Sequence, residues 1–146
     1  LIPEEMKLAN QLCFSVYNAN RLFIQFYQKA LKPFDLTYTQ YIVLLALWEQ
    51  DHQNLHDLGA KLDFGSNTLT PLLRRLETAG WLVRLQPAAD RRQLVVELTD
   101  KGKASQGPIF EAIKACVGQD QLDVSQYKEA LKINDALIAD LKTAVG

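Results

Sequence analysis

Residues 65–80, Gly-Ser-Asn-Thr-Leu-Thr-Pro-Leu-Leu-Arg-Arg-Leu-Glu-Thr-Ala-Gly, constrain the fold more than any other stretch, because a single helix there carries two faces with opposite requirements. Leu69, Leu72, Leu73 and Leu76 recur at i, i+3, i+4 and i+7, a stripe that has to be buried. Asn67, Thr70, Pro71, Arg74 and Thr78 share the opposite side, with Arg75 beside them. An ordinary solvated face mixes Glu and Lys. This one offers hydroxyls, an amide and a guanidinium, the groups that hydrogen-bond base edges and phosphates in a DNA major groove. A surface helix with two arginines fits the same residues, so the neighbouring segments have to decide.

Gly80 ends the helix, and residues 81–85 alternate in character as a short strand does. Residues 86–92, Gln-Pro-Ala-Ala-Asp-Arg-Arg, are turn-forming and basic, and residues 93–98 read as a second strand. Just upstream, residues 55–62 form a short amphipathic helix behind an Asn54 cap. Helix, turn, helix, then a hairpin with a basic tip is the order of a winged helix-turn-helix. The net charge of −1 conceals a division that supports this. Residues 61–103 hold eight basic against five acidic side chains, a net of +3, and the rest of the chain carries −4.

The flanking regions are too apolar for helices resting on solvent. Residues 5–31 carry Leu8, Leu12, Val16, Phe23, Phe26, Tyr27 and Leu31, and residues 38–49 are apolar on several faces, which predicts a central buried helix. Thr99 is placed to cap a helix running toward Val117 that Gly107-Pro108 kinks or splits. Asp123 or Ser125 opens a last helix. The expected fold is mainly α with a small β-hairpin wing, in one domain over residues 1–146. Residues 35–103 make the winged helix-turn-helix, and residues 1–34 and 104–146 supply dimerisation helices, since spare apolar surface is most economically covered by a second copy. No apolar run is long enough to cross a membrane and the N-terminus lacks the order of a signal peptide, so a cytoplasmic protein with no membrane partner is expected.

Taken together these residues resemble the MarR family of winged-helix repressors, and within it the thiol-based organic hydroperoxide sensors of the OhrR and MgrA type. The general part of the resemblance is the helix order, Asp90-Arg91-Arg92 in the wing, Leu98-Thr99 and Gly102. The specific part is residues 11–19 (Gln-Leu-Cys-Phe-Ser-Val-Tyr-Asn-Ala), residues 36–41 (Leu-Thr-Tyr-Thr-Gln-Tyr), Leu47-Trp48-Glu49, and residues 68–77 (Thr-Leu-Thr-Pro-Leu-Leu-Arg-Arg-Leu-Glu). The resemblance implies a homodimeric repressor on a pseudo-palindromic double-stranded operator. Cys13 is then the thiol that senses organic hydroperoxide, Tyr27 and Tyr38 hydrogen-bond its sulfur, and Cys116 is a candidate resolving cysteine. Ser66, Asn67, Thr68, Thr70, Pro71, Arg74 and Arg75 would meet the major groove, with Arg91 and Arg92 of the wing in a minor groove and Asp90 orienting an arginine. Two departures bear on the DNA sequence read: Gly65 stands where an acidic residue is common, leaving Ser66 as the expected cap, and Thr39 stands where proline is common.

The residues themselves leave the cysteines open. A lone cysteine among Leu12, Phe14 and Ser15 is usually a small core residue, and no cation is adjacent in sequence to favour a thiolate. Donation from phenolic hydroxyls is another way to stabilise the anion. Tyr27 lies 14 residues beyond Cys13, about 21 Å along one helix, so contact between them would have to cross between subunits. Cys116 is either a resolving thiol or an alanine-like filler, and two cysteines make no disulfide framework. His52 and His56, with Asp51 and Asp57 close by, are read as solvated residues rather than metal ligands, and neither metal nor cofactor is expected. Trp48, Tyr41 and Phe64 are either core or the lining of an effector pocket. Two other readings stand beside the redox regulator: a MarR-type regulator controlled by a small aromatic ligand with Cys13 inert, and a thiol peroxidase or dithiol oxidoreductase using Cys13 and Cys116. The reading helix argues against an enzyme.

Overall fold

The computed structural model describes residues 1–86, 93–117 and 123–146. They divide into two compact units, Leu1–Ile113 and Lys114–Gly146. In the first unit helix α1 (Leu12–Leu31) leads into α2 (Tyr38–Glu49), followed by β1 (Gln53–Asn54), α3 (Leu55–Leu62), α4 (Ser66–Thr78), β2 (Leu82–Leu85), β3 (Val95–Leu98), α5 (Asp100–Ala104) and the start of α6 (Gln106–Val117). The second unit contains the end of α6 and the 22-residue α7 (Val124–Val145).

The central buried helix expected over residues 38–49 is α2. A capping box fixes its start: the Thr37 hydroxyl accepts from the Gln40 N–H at 3.2 Å, and the Gln40 side-chain oxygen accepts from the Thr37 N–H at 3.0 Å. Tyr41, Val43, Leu44, Ala46 and Leu47 are buried on several sides, which is why this segment shows no polar stripe. The buried Gln53 side chain donates to the carbonyl of Ala46 at 3.0 Å and to that of Gln50, satisfying carbonyls at the end of α2.

Helical structure before α1 is shorter than residues 5–31 suggest. Glu4–Met6 and Leu8–Asn10 are single 3-10 turns, and the α-helix begins only at Leu12. Side chains compete with the helix for backbone groups here, since Asn10 Nδ2 donates to the Glu4 carbonyl at 2.7 Å and Gln11 Nε2 to that of Glu5 at 2.9 Å. Within α1 only Ala30 and Leu31 are buried, whereas Leu12 is 61% exposed and Phe23 44%.

Among the described residues the sheet has three strands in the order β1-β3-β2, all antiparallel. Residues 82–85 pair with 95–98, Leu82 opposite Leu98 and Leu85 opposite Val95, while Gln53 and Asn54 pair with Val96 and Val95. The hairpin is therefore the expected one with shorter strands, and β1 is an addition to it. Two residues with no apolar alternation leave no strand signal; only the partner β3 makes them one.

The helix after the sheet is broken one turn earlier than Gly107-Pro108 suggests. Thr99 caps α5 as expected, its hydroxyl accepting from the Gly102 N–H at 3.1 Å, but α5 ends at Ala104 and α6 starts at Gln106. Pro108 falls in the first turn of α6, where its missing N–H breaks no intrahelical bond. Asp123 caps α7, accepting from the Ser125 N–H at 2.8 Å. No described helix is long and apolar enough to cross a membrane.

Candidate nucleic-acid interface and thiol site

Two short helices and a tight turn set the reading face. Asn54 caps α3 by accepting from the Asp57 N–H at 2.7 Å. Asp63 then turns the chain in the left-handed region, φ 58°, and the Phe64 N–H closes on the Gly59 carbonyl at 2.9 Å. A Cβ on Gly59 would stand 3.0 Å from the Phe64 carbonyl oxygen, a tight approach that a larger residue would meet only by shifting the turn a few tenths of an ångström.

Helix α4 follows after Gly65. All four leucines of the stripe, Leu69, Leu72, Leu73 and Leu76, are buried, each worth about 1.5–3 kcal/mol of transfer free energy. Ser66, Asn67, Thr68, Pro71, Arg74, Arg75 and Thr78 are exposed and Thr70 is half-buried, so the residues expected to meet DNA do share the outward side of this helix. The cap differs from expectation. Gly65, not Ser66, is the N-cap, with φ −70° and ψ 162°, its carbonyl accepting from the N–H groups of Thr68 and Leu69 at 3.0 Å each. Ser66 already lies in the first turn, and no side chain caps the helix.

The joint between α4 and β2 is held from three directions. Gly80 takes φ 85°, and the Trp81 N–H reaches back to the Leu76 carbonyl at 2.9 Å. Glu77 binds Arg84: one carboxylate oxygen accepts from the Arg84 backbone N–H at 3.1 Å, the other from its Nε at 3.2 Å and its Nη2 at 3.0 Å. The Arg84 side-chain bonds hold the Glu77 carboxyl below its ordinary range against the upward push of burial, with the Arg84 N–H and charge adding to the lowering. From α5, the Thr99 hydroxyl donates to the Gly80 carbonyl at 2.6 Å, and Lys101 Nζ donates to the Ala79 carbonyl at 2.8 Å while lying 4.5 Å from the centre of the Trp81 ring. The positive charge counted over residues 61–103 is thus partly spent on structure, Arg84 on Glu77 and Lys61 on Glu49. Arg74 and Arg75 remain exposed on the reading face. The wing turn and its Asp90, Arg91 and Arg92 lie outside the described residues.

Cys13 is an exposed free thiol in the first turn of α1, and Cys116 is a half-exposed free thiol in α6. Tyr27 lies on the same helix as Cys13, as the 14-residue spacing requires. It is brought against Tyr38, the first residue of α2, stacked with ring centres 4.9 Å apart and planes inclined by 30°. Both rings border the buried Tyr41, at 5.6 Å from Tyr27 and 6.3 Å from Tyr38. Tyr41, Trp48 and Phe64, the trio considered for an effector pocket, all lie in or against the hydrophobic core. Tyr41 and Trp48 pack on each other in the core with ring centres 6.2 Å apart, whereas Phe64 lines an open cleft of about 740 Å³ with Leu55, Leu69 and Leu94. No cluster of metal-ligating side chains occurs among the described residues.

Residues 25–107 match the family model described as transcriptional regulator SarA/Rot. The chain belongs to the SarA/Rot family of transcriptional regulators. It is 39% identical over 130 residues to the HTH-type transcriptional regulator SarZ of Staphylococcus saprophyticus, covering 89% of this chain and 87% of SarZ. It is 43% identical over 104 residues to the HTH-type transcriptional regulator TtmR of Methylorubrum extorquens, which covers 71% of this chain but only 53% of TtmR, so the match spans about half of that protein. Among solved structures, AbfR of Staphylococcus epidermidis in its reduced form bound to DNA is 49% identical over 98% of both chains, with a TM-score of 0.89. AbfR in its disulfide form is as similar in sequence, 49% over 97% of this chain and 94% of that one, yet the TM-score is 0.68. The MarR likeness extends to the fold, since AbsC of Streptomyces coelicolor, a MarR family regulator, superposes with a TM-score of 0.79 at 25% identity, covering 94% of this chain and 97% of that one. Family membership removes the enzyme reading, because these relatives are transcriptional regulators rather than peroxidases or oxidoreductases.

Proposed function

We propose that this regulator is a redox-responsive repressor, a homodimer that holds a pseudo-palindromic operator while Cys13 is reduced and leaves it after organic hydroperoxide oxidises Cys13. The observation that carries this reading is an exposed thiol in the first turn of α1 in a chain that shares 49% identity with AbfR, which has been solved reduced on DNA and in a disulfide form. Tyr27 and Tyr38 would complete the site as donors from a partner subunit.

Reading is assigned to Ser66, Asn67, Thr68, Thr70, Pro71, Arg74 and Arg75 in the major groove, with Arg91 and Arg92, oriented by Asp90, in the minor groove. Residues 1–34 and 104–146 are assigned to dimerisation, which spaces the two reading helices for half-sites about 34 Å apart. The chemistry balances in two steps. The Cys13 thiolate attacks the outer peroxide oxygen, the O–O bond breaks, and the alkoxide leaves as an alcohol after taking a proton, with Cys13 now a sulfenic acid. The thiol of Cys116 in the other subunit then attacks that sulfur, forming a disulfide and expelling water. AbfR has also been solved overoxidised and still bound to DNA, so we assign release to the disulfide rather than to oxygenation of Cys13.

Binding to a duplex selected by the reduced protein from a randomised pool, measured with and without cumene hydroperoxide, tests this. Wild type should lose binding and run as a covalent dimer without reductant, and Cys116→Ser should stay on the duplex when oxidised. Release of Cys116→Ser by peroxide would remove the disulfide from the account.

A further inference from the structure

The tyrosine pair and the α4–β2 joint are connected by a run of contacts that passes from α2 to α5 and α6 through Trp48. Tyr27 stacks on Tyr41 at 5.6 Å, Tyr41 meets Trp48 edge-on at 6.2 Å, and Trp48 meets Phe110 edge-on at 5.5 Å. The Trp48 indole N–H then donates to the carbonyl of Gly102 at 2.9 Å, a bond between residues 54 apart in sequence. Gly102 is backed directly onto the joint: a Cβ there would fall 2.3 Å from the Trp81 carbonyl oxygen, a separation no side chain survives. That same oxygen accepts from the Thr99 N–H at 3.1 Å, and the Thr99 hydroxyl takes the Gly102 N–H and gives to the Gly80 carbonyl.

The five-residue α5, with its cap Thr99, therefore clamps the joint between α4 and β2. Thr99, Lys101 and Gly102 grip residues 79–81, and Trp48 ties the clamp to α2. A close-packed ring cannot shift without moving what it touches, because core contacts have little slack. We propose that Trp48 is the residue that transmits rearrangement of the Tyr27/Tyr38 pair to the reading helix and wing, so that the state of the thiol site reaches DNA within one subunit as well as through the dimer. This rests on the assignment of Tyr27 and Tyr38 to the thiol site, but the link itself is testable without any oxidant.

The experiment is a double-mutant cycle on affinity for the selected duplex, with Tyr27→Leu, Trp48→Phe and the pair, each reduced and each verified as folded by circular dichroism. Trp48→Phe keeps one six-membered ring near Tyr41 and Phe110 but removes the indole donor to Gly102 together with part of the ring packing. If Trp48 carries the signal, the pair should bind no worse than the weaker single variant, at least threefold better than the product of the two separate losses. Losses that multiply, or singles that leave affinity unchanged, overturn the proposal. A second measurement covers the case in which Tyr27→Leu does not fold. With Cys13 oxidation verified by mass, the ratio of reduced to oxidised affinity in Trp48→Phe should be at least fivefold smaller than in wild type, and an unchanged ratio overturns transmission. Should wild type itself show no loss on oxidation, the redox reading fails, while Trp48→Phe paired with Tyr38→Leu in the same reduced cycle still decides the link.

Discussion

At the scale of single residues, charge alone does not tell a side chain proposed to read DNA from one that holds the helix in place. Arg74 and Arg84 look alike in sequence, yet Arg74 is exposed on α4 while Arg84 is committed to Glu77 by three hydrogen bonds. Arg74→Ala should cost on the order of 1–3 kcal/mol of operator binding and relax sequence preference without changing the melting temperature; binding that is unaltered would remove Arg74 from the interface. Glu77→Gln should instead lower fold stability by about 0.5–1 kcal/mol at neutral pH, the scale of a half-exposed pair. Because Arg84 depresses the Glu77 carboxyl in the folded state, this contribution is fully present above the ordinary carboxylate value of 4.5 and is lost as pH falls through the lower folded value. Urea titrations of wild type and Glu77→Gln should converge in acid, and a gap that stays constant would contradict the pairing. The proximity of Glu77 and Arg84 was not legible in the sequence, since it depends on Gly80 folding β2 back along α4. The tyrosine pair was legible only through the family resemblance; spacing alone puts Tyr27 and Tyr38 on different helices.

Among the elements, those with a strong period were read correctly and those created by a partner were not. The leucine stripe of α4 and the all-round apolar α2 announce themselves because burial imposes 3.6-residue periodicity or its absence on every position. Strand β1 exists only because β3 offers it a ladder, and the α5–α6 break falls at Ser105 because Pro108 suits a first turn. The Gly65 cap escaped for a related reason: a hydroxyl residue next to it is the better cap in isolation, but the turn after α3 brings Gly65 into the extended conformation and Ser66 into the helix. Packing at this scale predicts large effects. Leu73→Ala, at a fully buried position of α4, should destabilise the fold by about 2–5 kcal/mol in chemical denaturation. Gly102→Ala has no room beside the Trp81 carbonyl and should either unfold the wing base or cut operator affinity at least tenfold; a stable variant of normal affinity would show that the α5 clamp does not aim the reader.

The whole molecule is the scale at which sequence and structure leave most to function. Helix α1 exposes Leu12, Phe14, Val16, Leu22 and Phe23, and α7 exposes Leu131, Ile133, Ile138 and Leu141, far more apolar surface than single scattered side chains. A second copy covering those faces would explain them, and sedimentation should find a dimer at micromolar concentration; a monomer would leave two reading helices without a common frame. The same assembly is required for Tyr27 and Tyr38 to reach a thiol about 21 Å along the helix from Tyr27. Everything proposed for regulation converges on Cys13. The most direct test is operator affinity of wild type and Cys13→Ser, each before and after organic hydroperoxide. Wild type should lose at least tenfold and recover with dithiothreitol, whereas Cys13→Ser should bind equally in both conditions. Peroxide-driven release that persists in Cys13→Ser would contradict the redox account and favour control by a small aromatic ligand.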